Sequence, residues 1–266
     1  MKRSRDTEKR SEINSAIEEL SVLVIVKPAD VNHEAAVAHI PTKPFLSLCY
    51  MILQFLDKVG PTMAVLRQDI HQNIKRLEAM HESNPLTNSN LVEILKSETS
   101  KGNAKKRISG SKSFVWLTRS LDFTSALFQA LLVKDPIKNM EQAVQESYDA
   151  TLKPWHGWIS SAAFRVAIKL VPDTKTFMDL LSEKDENCDT VTEKMQILVS
   201  LLVPFLEDVH CILVSLISYS LLHNINWSCS LDILSYTYMM NINLFCRKCI
   251  NWTGLSQIEA KIEKMM

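Results

Sequence analysis

Apolar residues recur at intervals of three and four along most of the chain between residues 45 and 215. This spacing gathers apolar side chains on one face of a helix, whereas a half-buried strand would alternate apolar and polar residues. The stretch 45–60 ends in Gly60, a residue typical of a helix C-cap, and Pro61 suits the first turn of the helix that follows. The pattern therefore predicts an all-α chain and gives no convincing strand.

Turn signals divide this region into further helices. Asp135-Pro136 ends a long apolar helix over 113–133, and Asp173 can cap a later helix. Pro154 lies inside an otherwise helical pattern, where a proline predicts a kink or a boundary. The helix over 62–83 carries an apolar face whose members are Met63, Leu66, Ile70, Ile74, Leu77 and Met80.

The two ends lack this regularity. Residues 1–43 begin with a charged segment and are expected to form a partly disordered N-terminal extension, while 44–210 form the helical domain. Residues 211–266 mix Asn, Ser, Cys and Tyr without a clear period and are expected to form an atypical tail. The segment 211–231 has no charged residue and is long enough to cross a bilayer, but its His, Asn and Ser residues are costly in hydrocarbon. We therefore favour a tail over a membrane span.

Composition removes several classes of function. Only 5 of the 266 residues are glycine and no glycine-rich phosphate motif is present, which excludes the common nucleotide-binding folds. Lys plus Arg and Asp plus Glu are both 30, which argues against a dedicated nucleic-acid binder. Cys246 and Cys249 lack a second pair to complete a zinc site, so we expect neither a metal nor a cofactor. A charged start without an apolar signal core indicates a cytosolic protein.

Three polar residues form a row on one predicted helix, because Asp69, Asn73 and Arg76 stand at i, i+4 and i+7. Charged residues at this spacing usually form a solvated face. The same row also offers acceptors, donors and a charge in fixed positions, which suits the hydroxyls of a sugar or another polyol. Both interpretations remain open on the pattern alone.

Two further side chains also have two explanations each. Trp116 can be a core residue of the helix over 113–133, or an aromatic surface on which the C–H face of a sugar packs. His156, in the segment KPWHGW, can be a buried histidine with satisfied hydrogen bonds or a ligand contact. No nucleophile motif accompanies it, and no carboxylate pair is marked for glycoside cleavage, so an enzyme acting on a sugar is disfavoured.

The chain resembles the glycolipid transfer protein family, and its plant-type members in particular, in three stretches: FLDKVGPTMAVLRQDIHQNIKRLEAM, FVWLTRSLDF and LKPWHGWISSAAF. The resemblance covers roughly residues 45–210 and rests on the combination of D-x-x-x-N, W-L-x-R and W-H-G-W. It implies an all-helical, two-layer sandwich of about eight helices without a disulfide. It also implies a non-enzymatic carrier of sphingolipids, with the head group at a polar surface site and the ceramide chains in a collapsible apolar pocket.

The same resemblance implies roles for individual residues. Asp69 and Asn73 would hydrogen-bond sugar hydroxyls, and Trp116 would stack under the first sugar. Arg76 stands where glycolipid-binding members usually have Lys, and its rigid fork differs from a point charge. His156 would donate to the carbonyl of the ceramide amide, and Asp69 would also accept from the amide N–H.

Membrane contact and chain binding are expected nearby. Lys153, Trp155 and Trp158 would contact the membrane, since Trp158 matches a membrane-touching residue of the family and tryptophan favours the bilayer interface. Candidate walls of the apolar pocket, each of which would serve equally in an ordinary core, are Phe55, Phe123, Leu127, Leu152, Phe164 and Val166.

A sister branch of the family carries ceramide-1-phosphate and differs at three positions. It places Lys, Arg and a second Arg where this chain has Asn73, Trp116 and Ser120. A phosphate calls for charge-assisted donors, so we expect a neutral glycosylated ceramide of the glucosylceramide or galactosylceramide type. We further expect a monomer that contacts membranes transiently and binds no nucleic acid.

Two other functions stay open beside this one. A ceramide-1-phosphate carrier or a sphingolipid sensor would share the same fold, and a helical interaction module without lipid would use the bundle as a scaffold. In the family, the C-terminal residues close over the pocket, and the sequence beyond about His210 does not resemble that ending. The atypical tail therefore bears directly on whether the pocket closes.

Overall fold

The computed structural model describes residues 12–23, 38–104, 106, 108–133, 139–183 and 186–222. These residues form nine α-helices, namely α1 Glu12–Val22, α2 Thr42–Val59, α3 Ala64–Ser83, α4 Leu91–Ser100, α5 Gly110–Leu132, α6 Met140–Thr151, α7 Trp158–Ala167, α8 Thr174–Leu181 and α9 Cys188–Leu222. Short 3-10 turns lie at Pro61–Met63, Thr87–Ser89, Lys153–Trp155 and Ile168–Leu170. All these elements are helical, which confirms the predicted all-α class.

Helix α5 forms the centre of the fold and packs against α2, α3, α4, α6 and α9. Its apolar face is enclosed, with Phe114 and Leu117 fully buried. Its buried hydroxyls donate to carbonyls one turn back, from Thr118 Oγ1 to Phe114 O at 3.0 Å and from Ser113 Oγ to Ser109 O at 3.1 Å. Because these hydroxyls are satisfied within the helix, a helix with many polar residues can lie in the core.

Several helix ends follow the signals in the sequence. Gly60 ends α2 with a φ of 104°, a left-handed backbone that favours glycine, and its N–H donates to Leu56 O at 3.0 Å. Asp173 caps α8 by accepting from Thr176 N at 3.0 Å, and its bonds to Thr176 lower the pKa of this carboxyl. Pro154 lies in the 3-10 turn between α6 and α7 and so marks a boundary rather than a kink.

The apolar face of α3 differs from the prediction at one position. Ile70, Ile74 and Leu77 are buried as predicted, but Leu66 is 44 % exposed. At this end of the helix the buried apolar side chain is Met63, which lies in the preceding 3-10 turn. Helical spacing alone does not reveal where a helix begins to meet its neighbours.

The segment expected as an N-terminal extension contributes a core helix. α1 packs against α2 and α9 and buries Ile13 and Leu20. Glu12 also forms an ion pair with Lys58 of α2, with Nζ and Oε2 2.6 Å apart. The expected boundary after residue 43 therefore does not separate α1 from the core.

Helix α9 continues through the expected boundary at residue 210. Its segment Cys188–Leu216 is long and apolar enough to cross a membrane by length and composition, and the most apolar stretch of that segment has a mean hydropathy of 2.1. However, 39 % of its most apolar stretch is buried in the protein, and Val191, Met195 and Leu198 face the core at helical spacing. The core helix of a soluble protein passes the same test, so this segment is weak evidence for a membrane span.

Other expectations from the sequence fall outside the described residues. They concern the charged segment 1–11 and the tail from 223 onward, which includes Cys246 and Cys249. The cysteines within the described ranges, Cys49, Cys188 and Cys211, form no disulfide bond with one another. In the same ranges, no group of three or more His, Cys, Asp or Glu side chains is arranged to hold a metal ion.

Candidate functional site

The polar row on α3 is bound into the fold. Asp69 is exposed, whereas Asn73 is buried and Arg76 is half-buried. Asn73 Nδ2 donates to Asp69 O at 3.0 Å, and Arg76 Nη1 donates to Asn73 Oδ1 at 3.1 Å. Arg76 Nη1 also donates to Ser113 Oγ at 2.8 Å, which ties α3 to α5. A solvated face therefore describes Asp69 but not the rest of the row.

A buried cation lies between two indole rings. Arg119, on α5, is only 4 % exposed. Its guanidinium carbon is 4.9 Å from the ring centroid of Trp116 and 4.0 Å from that of Trp155. Desolvated cation–π contacts of this kind are worth about 2 kcal/mol. Arg119 therefore holds Trp116 of α5 beside the turn that leads from α6 to α7.

His156 packs against both Trp116 and α6. Its ring centroid is 5.7 Å from that of Trp116 and 5.4 Å from that of Tyr148. Its Nδ1 is 3.1 Å from Tyr148 Oη, which is also 3.3 Å from Ser161 Oγ on α7. Tyr148 stacks on Phe164, with ring centroids 3.5 Å apart and planes inclined by 6°. The histidine is thus oriented by contacts from α5 and α6, and α7 holds Tyr148 in place through Ser161 and Phe164.

The surroundings favour a neutral His156. Burial lowers its pKa below the ordinary value of 6.5, and the positive charge of Arg119 lowers it further. The carboxylate of Asp69 acts in the opposite direction without reversing the shift, which places that carboxylate within electrostatic reach of the ring. A neutral imidazole has one N–H donor and one acceptor. The predicted head-group residues therefore come together where α3, α5 and the α6–α7 connection meet.

The residues expected to line an apolar pocket fall into three groups. Phe55 and Leu127 are buried in the main core. The partly buried members are Phe123, Leu152 and Phe164. Val166 is 66 % exposed and lines no interior wall, because its side of α7 faces away from the core. The expectation for Val166 therefore needs correction, and this residue belongs to the outer surface.

A surface cavity of about 430 Å³ lies between α2 and α3, away from this site. Its walls include Tyr50 and Glu78, and Tyr50 Oη donates to Glu78 Oε1 at 2.7 Å. None of the expected head-group or pocket residues lines this cavity. The apolar side chains beside His156 do not enclose this cavity. They pack against one another, as the stacked rings of Phe164 and Tyr148 do.

An exposed apolar surface covers one side of α7. Trp158 is 80 % exposed, and Ile159 and Val166, one helical repeat of seven apart, are also exposed. We call these three residues the α7 surface. Contiguous apolar side chains in water usually mark a site of interaction with a protein or a membrane.

The two other residues expected at a membrane contact are placed differently from Trp158. Lys153 is exposed and pairs with Asp149, with Nζ and Oδ1 2.8 Å apart. Trp155 is half-buried, and its ring faces the Arg119 guanidinium. Trp155 therefore connects the interior of the site to the segment that carries Trp158.

Sequence reasoning assigned no role to three residues that organise the site. Arg119 had a detectable signal, because a charge within an apolar helix one turn after a tryptophan is unusual. Ser113 and Tyr148 had none, since their roles depend on distances between helices that are remote in sequence.

The fold and this site define a class of all-helical proteins in which a cluster of polar and aromatic side chains lies beside an apolar core. The family model described as Glycolipid transfer protein (GLTP) matches residues 40–183. Glycolipid transfer protein 3 of Arabidopsis thaliana is 54 % identical over 216 residues, which are 80 % of this chain and 92 % of that protein. Glycolipid transfer protein 2 of the same plant is 50 % identical over 80 % of this chain and 95 % of its own length. The chain belongs to the glycolipid transfer protein family.

Solved structures share the same architecture. The structure reported under "How FAPP2 Selects Simple Glycosphingolipids Using the GLTP-fold" has a TM-score of 0.67 and 25 % identity, covering 82 % of this chain and 98 % of that one. A complex of Arabidopsis ACD11 with ceramide-1-phosphate has a TM-score of 0.63 over 77 % of this chain and 94 % of that one, but only 17 % identity. These matches confirm the expected helical sandwich fold.

Proposed function

We propose that this protein is a carrier that extracts a glycosylceramide of the glucosylceramide or galactosylceramide type from one membrane and releases it to another. Family membership, with two relatives named glycolipid transfer protein at 54 and 50 % identity, supports a lipid-transfer role without enzymatic chemistry. The choice of cargo rests on one observation: beside Asp69 and His156, the neutral side chains Asn73, Trp116 and Ser120 stand at the three positions where ceramide-1-phosphate carriers have cations.

The head-group site supplies the groups that a sugar needs. Asp69 offers exposed carboxylate acceptors, and Asn73 keeps a second amide N–H after donating to Asp69 O. The half-buried indole of Trp116 offers a face for the C–H groups of a sugar ring. Arg76 is held by Asn73 and Ser113, so it fixes the amide of Asn73 where a flexible lysine would not.

The site offers a hydrogen-bond partner to both the carbonyl and the N–H of the ceramide amide. His156 is neutral and uses Nδ1 toward Tyr148, which leaves Nε2 for the amide carbonyl. The carboxylate of Asp69 accepts from the amide N–H. Leaving one of these amide groups buried without a partner would cost about 1–3 kcal/mol. The pair therefore fixes the junction between sugar and chains.

A phosphate head group would meet neutral side chains at the three positions that matter in the sister branch. Asn73 and Trp116 carry no charge, and Ser120 Oγ already donates to Trp116 O at 3.0 Å. Phosphate recognition depends on charge-assisted hydrogen bonds, preferably several. Ceramide-1-phosphate is therefore the second candidate cargo rather than the first.

The lipid chains explain why a carrier is needed. Each methylene kept from water is worth roughly 0.8 kcal/mol, so a chain of about sixteen carbons costs on the order of 13 kcal/mol to expose. The partly buried side chains near His156, which we assign as walls that part to admit the chains, are Phe123, Leu152 and Phe164. The α7 surface and Lys153 dock on a bilayer from the cytosolic side, and the protein acts as a monomer.

A transfer assay between vesicles tests this proposal. Fluorescent glucosylceramide, galactosylceramide and ceramide-1-phosphate are supplied in separate donor vesicles, and their arrival in acceptor vesicles is followed over time. We expect the glycosylceramides to move at least about tenfold faster than ceramide-1-phosphate, which corresponds to about 1.4 kcal/mol of discrimination. Transfer of ceramide-1-phosphate alone would reassign the cargo. No transfer, together with no co-purified lipid in native mass spectrometry, would favour a helical scaffold.

A further inference from the structure

The hydrogen bond behind His156 decides what this residue offers a ligand. Nδ1 of the imidazole is 3.1 Å from Tyr148 Oη, and Nε2 lies on the opposite edge of the ring. A neutral imidazole carries its proton on one nitrogen, and the group bonded to the other nitrogen sets which one. If Tyr148 donates to Nδ1, then Nε2 carries a proton and is a donor. If Tyr148 accepts from Nδ1, then Nε2 is an acceptor.

Two arrangements satisfy the chain of contacts from Ser161 through Tyr148 to His156. In the first, Ser161 donates to Tyr148 Oη and Tyr148 donates to Nδ1. In the second, Nδ1 donates to Tyr148 Oη and Tyr148 donates to Ser161 Oγ at 3.3 Å, the direction that the heavy-atom geometry has. Rotation of the two hydroxyl hydrogens, with the change of imidazole tautomer, converts one arrangement into the other, so the relative strengths of the donors and acceptors decide between them. A phenol, with a pKa of about 10, is a stronger donor than a serine hydroxyl, and an imidazole nitrogen is a stronger acceptor than a phenol oxygen. The first arrangement pairs the stronger donor with the stronger acceptor, and it leaves the proton on Nε2.

Tyr148 is also held firmly enough to impose this choice. The side chain is 3 % exposed, and its ring stacks on Phe164 at a centroid distance of 3.5 Å. Its hydroxyl is therefore fixed between α6, which carries it, and Ser161 of α7. Burial and Arg119 keep His156 neutral, so the position of its single ring proton matters.

We propose that Tyr148 is a positioning residue that holds His156 in the tautomer with Nε2 protonated, so that the site selects a carbonyl oxygen at this point. This inference rests on the proposed function, in which the carbonyl belongs to the ceramide amide. It assigns Tyr148 no contact with the ligand itself. Tyr148 and Ser161 act through the histidine.

The test compares the wild-type protein with Tyr148→Phe, which keeps the stacked ring and removes only the hydroxyl. Nitrogen-15 NMR of histidine-labelled protein at a pH above 7 distinguishes a protonated from an unprotonated ring nitrogen. We expect Nε2 of His156 to be protonated in the wild type and a mixture of both tautomers in Tyr148→Phe. Binding of glucosylceramide from vesicles should become about 3- to 10-fold weaker, the effect of losing one ordered hydrogen bond.

Two further variants complete the design. Tyr50→Phe is the matched control, because the Tyr50 hydroxyl is bonded to Glu78 outside the site, and it should change neither the tautomer nor the affinity. Ser161→Ala should keep the Nε2 proton, since Tyr148 can still donate to Nδ1 without Ser161.

Specific results would overturn this inference. They are a proton on Nδ1 in the wild type, a tautomer that Tyr148→Phe leaves unchanged, or loss of the Nε2 proton in Ser161→Ala. The NMR measurement needs no lipid, so the two proposals fail separately. The Nε2 proton could depend on Tyr148 in a protein that nevertheless binds no glycosylceramide. That result would refute the proposed cargo and leave the positioning role of Tyr148 in place.

Discussion

At the residue scale, Arg119 is the group on which the geometry of the site depends. An ion taken out of water loses several kcal/mol of hydration, and this loss must be offset by its partners. The indoles of Trp116 and Trp155 are two of these partners. Trp116 belongs to α5 and Trp155 to the α6–α7 turn, so Arg119 joins these two elements. Because Trp116 packs against a cation, it stays half-buried with part of its ring available to a ligand.

Replacing Trp116 with alanine should separate binding from folding. We expect Trp116→Ala to weaken glucosylceramide binding by about tenfold or more, because the stacking surface is lost. The free energy of unfolding should fall by about 2–3 kcal/mol, since the side chain is only half-buried and Trp155 still faces Arg119. Vesicle binding and urea denaturation measure the two effects.

A control on the same helix calibrates this result. Phe114→Ala removes a fully buried ring and should cost about 3–5 kcal/mol. If Trp116→Ala destabilised the protein as much as Phe114→Ala does, Trp116 would be a core residue, and its assignment to the head-group site would be wrong.

At the element scale, the helices could be predicted well because their signals are local. Gly60, Pro154 and Asp173 mark ends that the structure reproduces, and each acts through its own backbone or its nearest turn. The outward orientation of Val166 could not be predicted in this way. The sequence of α7 is apolar on more than one side, and only its packing shows which side meets the core. The same limit applies to Tyr148, whose partner Ser161 lies on another helix.

The exposed side of α7 gives a prediction for transfer. Inserting the Trp158 ring into a bilayer interface buries on the order of 100 Å², worth about 2.5 kcal/mol. We therefore expect Trp158→Ser to lower the rate of glycolipid transfer by more than about tenfold. The melting temperature should hardly change, because the side chain is 80 % exposed.

The matched control for this variant is Leu86→Ser, which removes another highly exposed apolar side chain from the loop before α4. It should leave both the transfer rate and the melting temperature unchanged. An equal loss of transfer in the two variants would mean that general surface apolarity, and not α7, governs membrane contact. Flotation with vesicles measures the contact directly.

At the scale of the whole molecule, the first and the last described helices pack together. α1 packs against α9, although about 170 residues separate them, and Asn14 of α1 donates to Glu183 Oε1 at 3.2 Å just before α9. The folded core therefore extends beyond the predicted domain 44–210 at both ends. The sequence could not show this packing, because the partners of the apolar face of α1 are distant in the chain.

A core role for α1 predicts a large effect from a small change near the N-terminus. Ile13→Ala should lower the free energy of unfolding by about 2–5 kcal/mol, since Ile13 is fully buried against the main core. Val22→Ala, at an exposed position on the same helix, should change it by less than about 0.5 kcal/mol. Equal, small effects of both variants in urea denaturation would show that α1 is an appendage.

One feature of the α6–α7 connection bears on the kinetics of exchange. Only Gly157 lies between His156, whose ring is in the site, and Trp158, whose ring is exposed. Residues two positions apart are separated by at most about 7 Å along the backbone, less than the length of a lipid. Under the proposed function, a departing lipid would therefore enter the leaflet close to the α7 surface, without passing through bulk solvent. The rate of transfer would then depend on how often the carrier associates with a membrane, and the aqueous solubility of the cargo would have little influence on that rate.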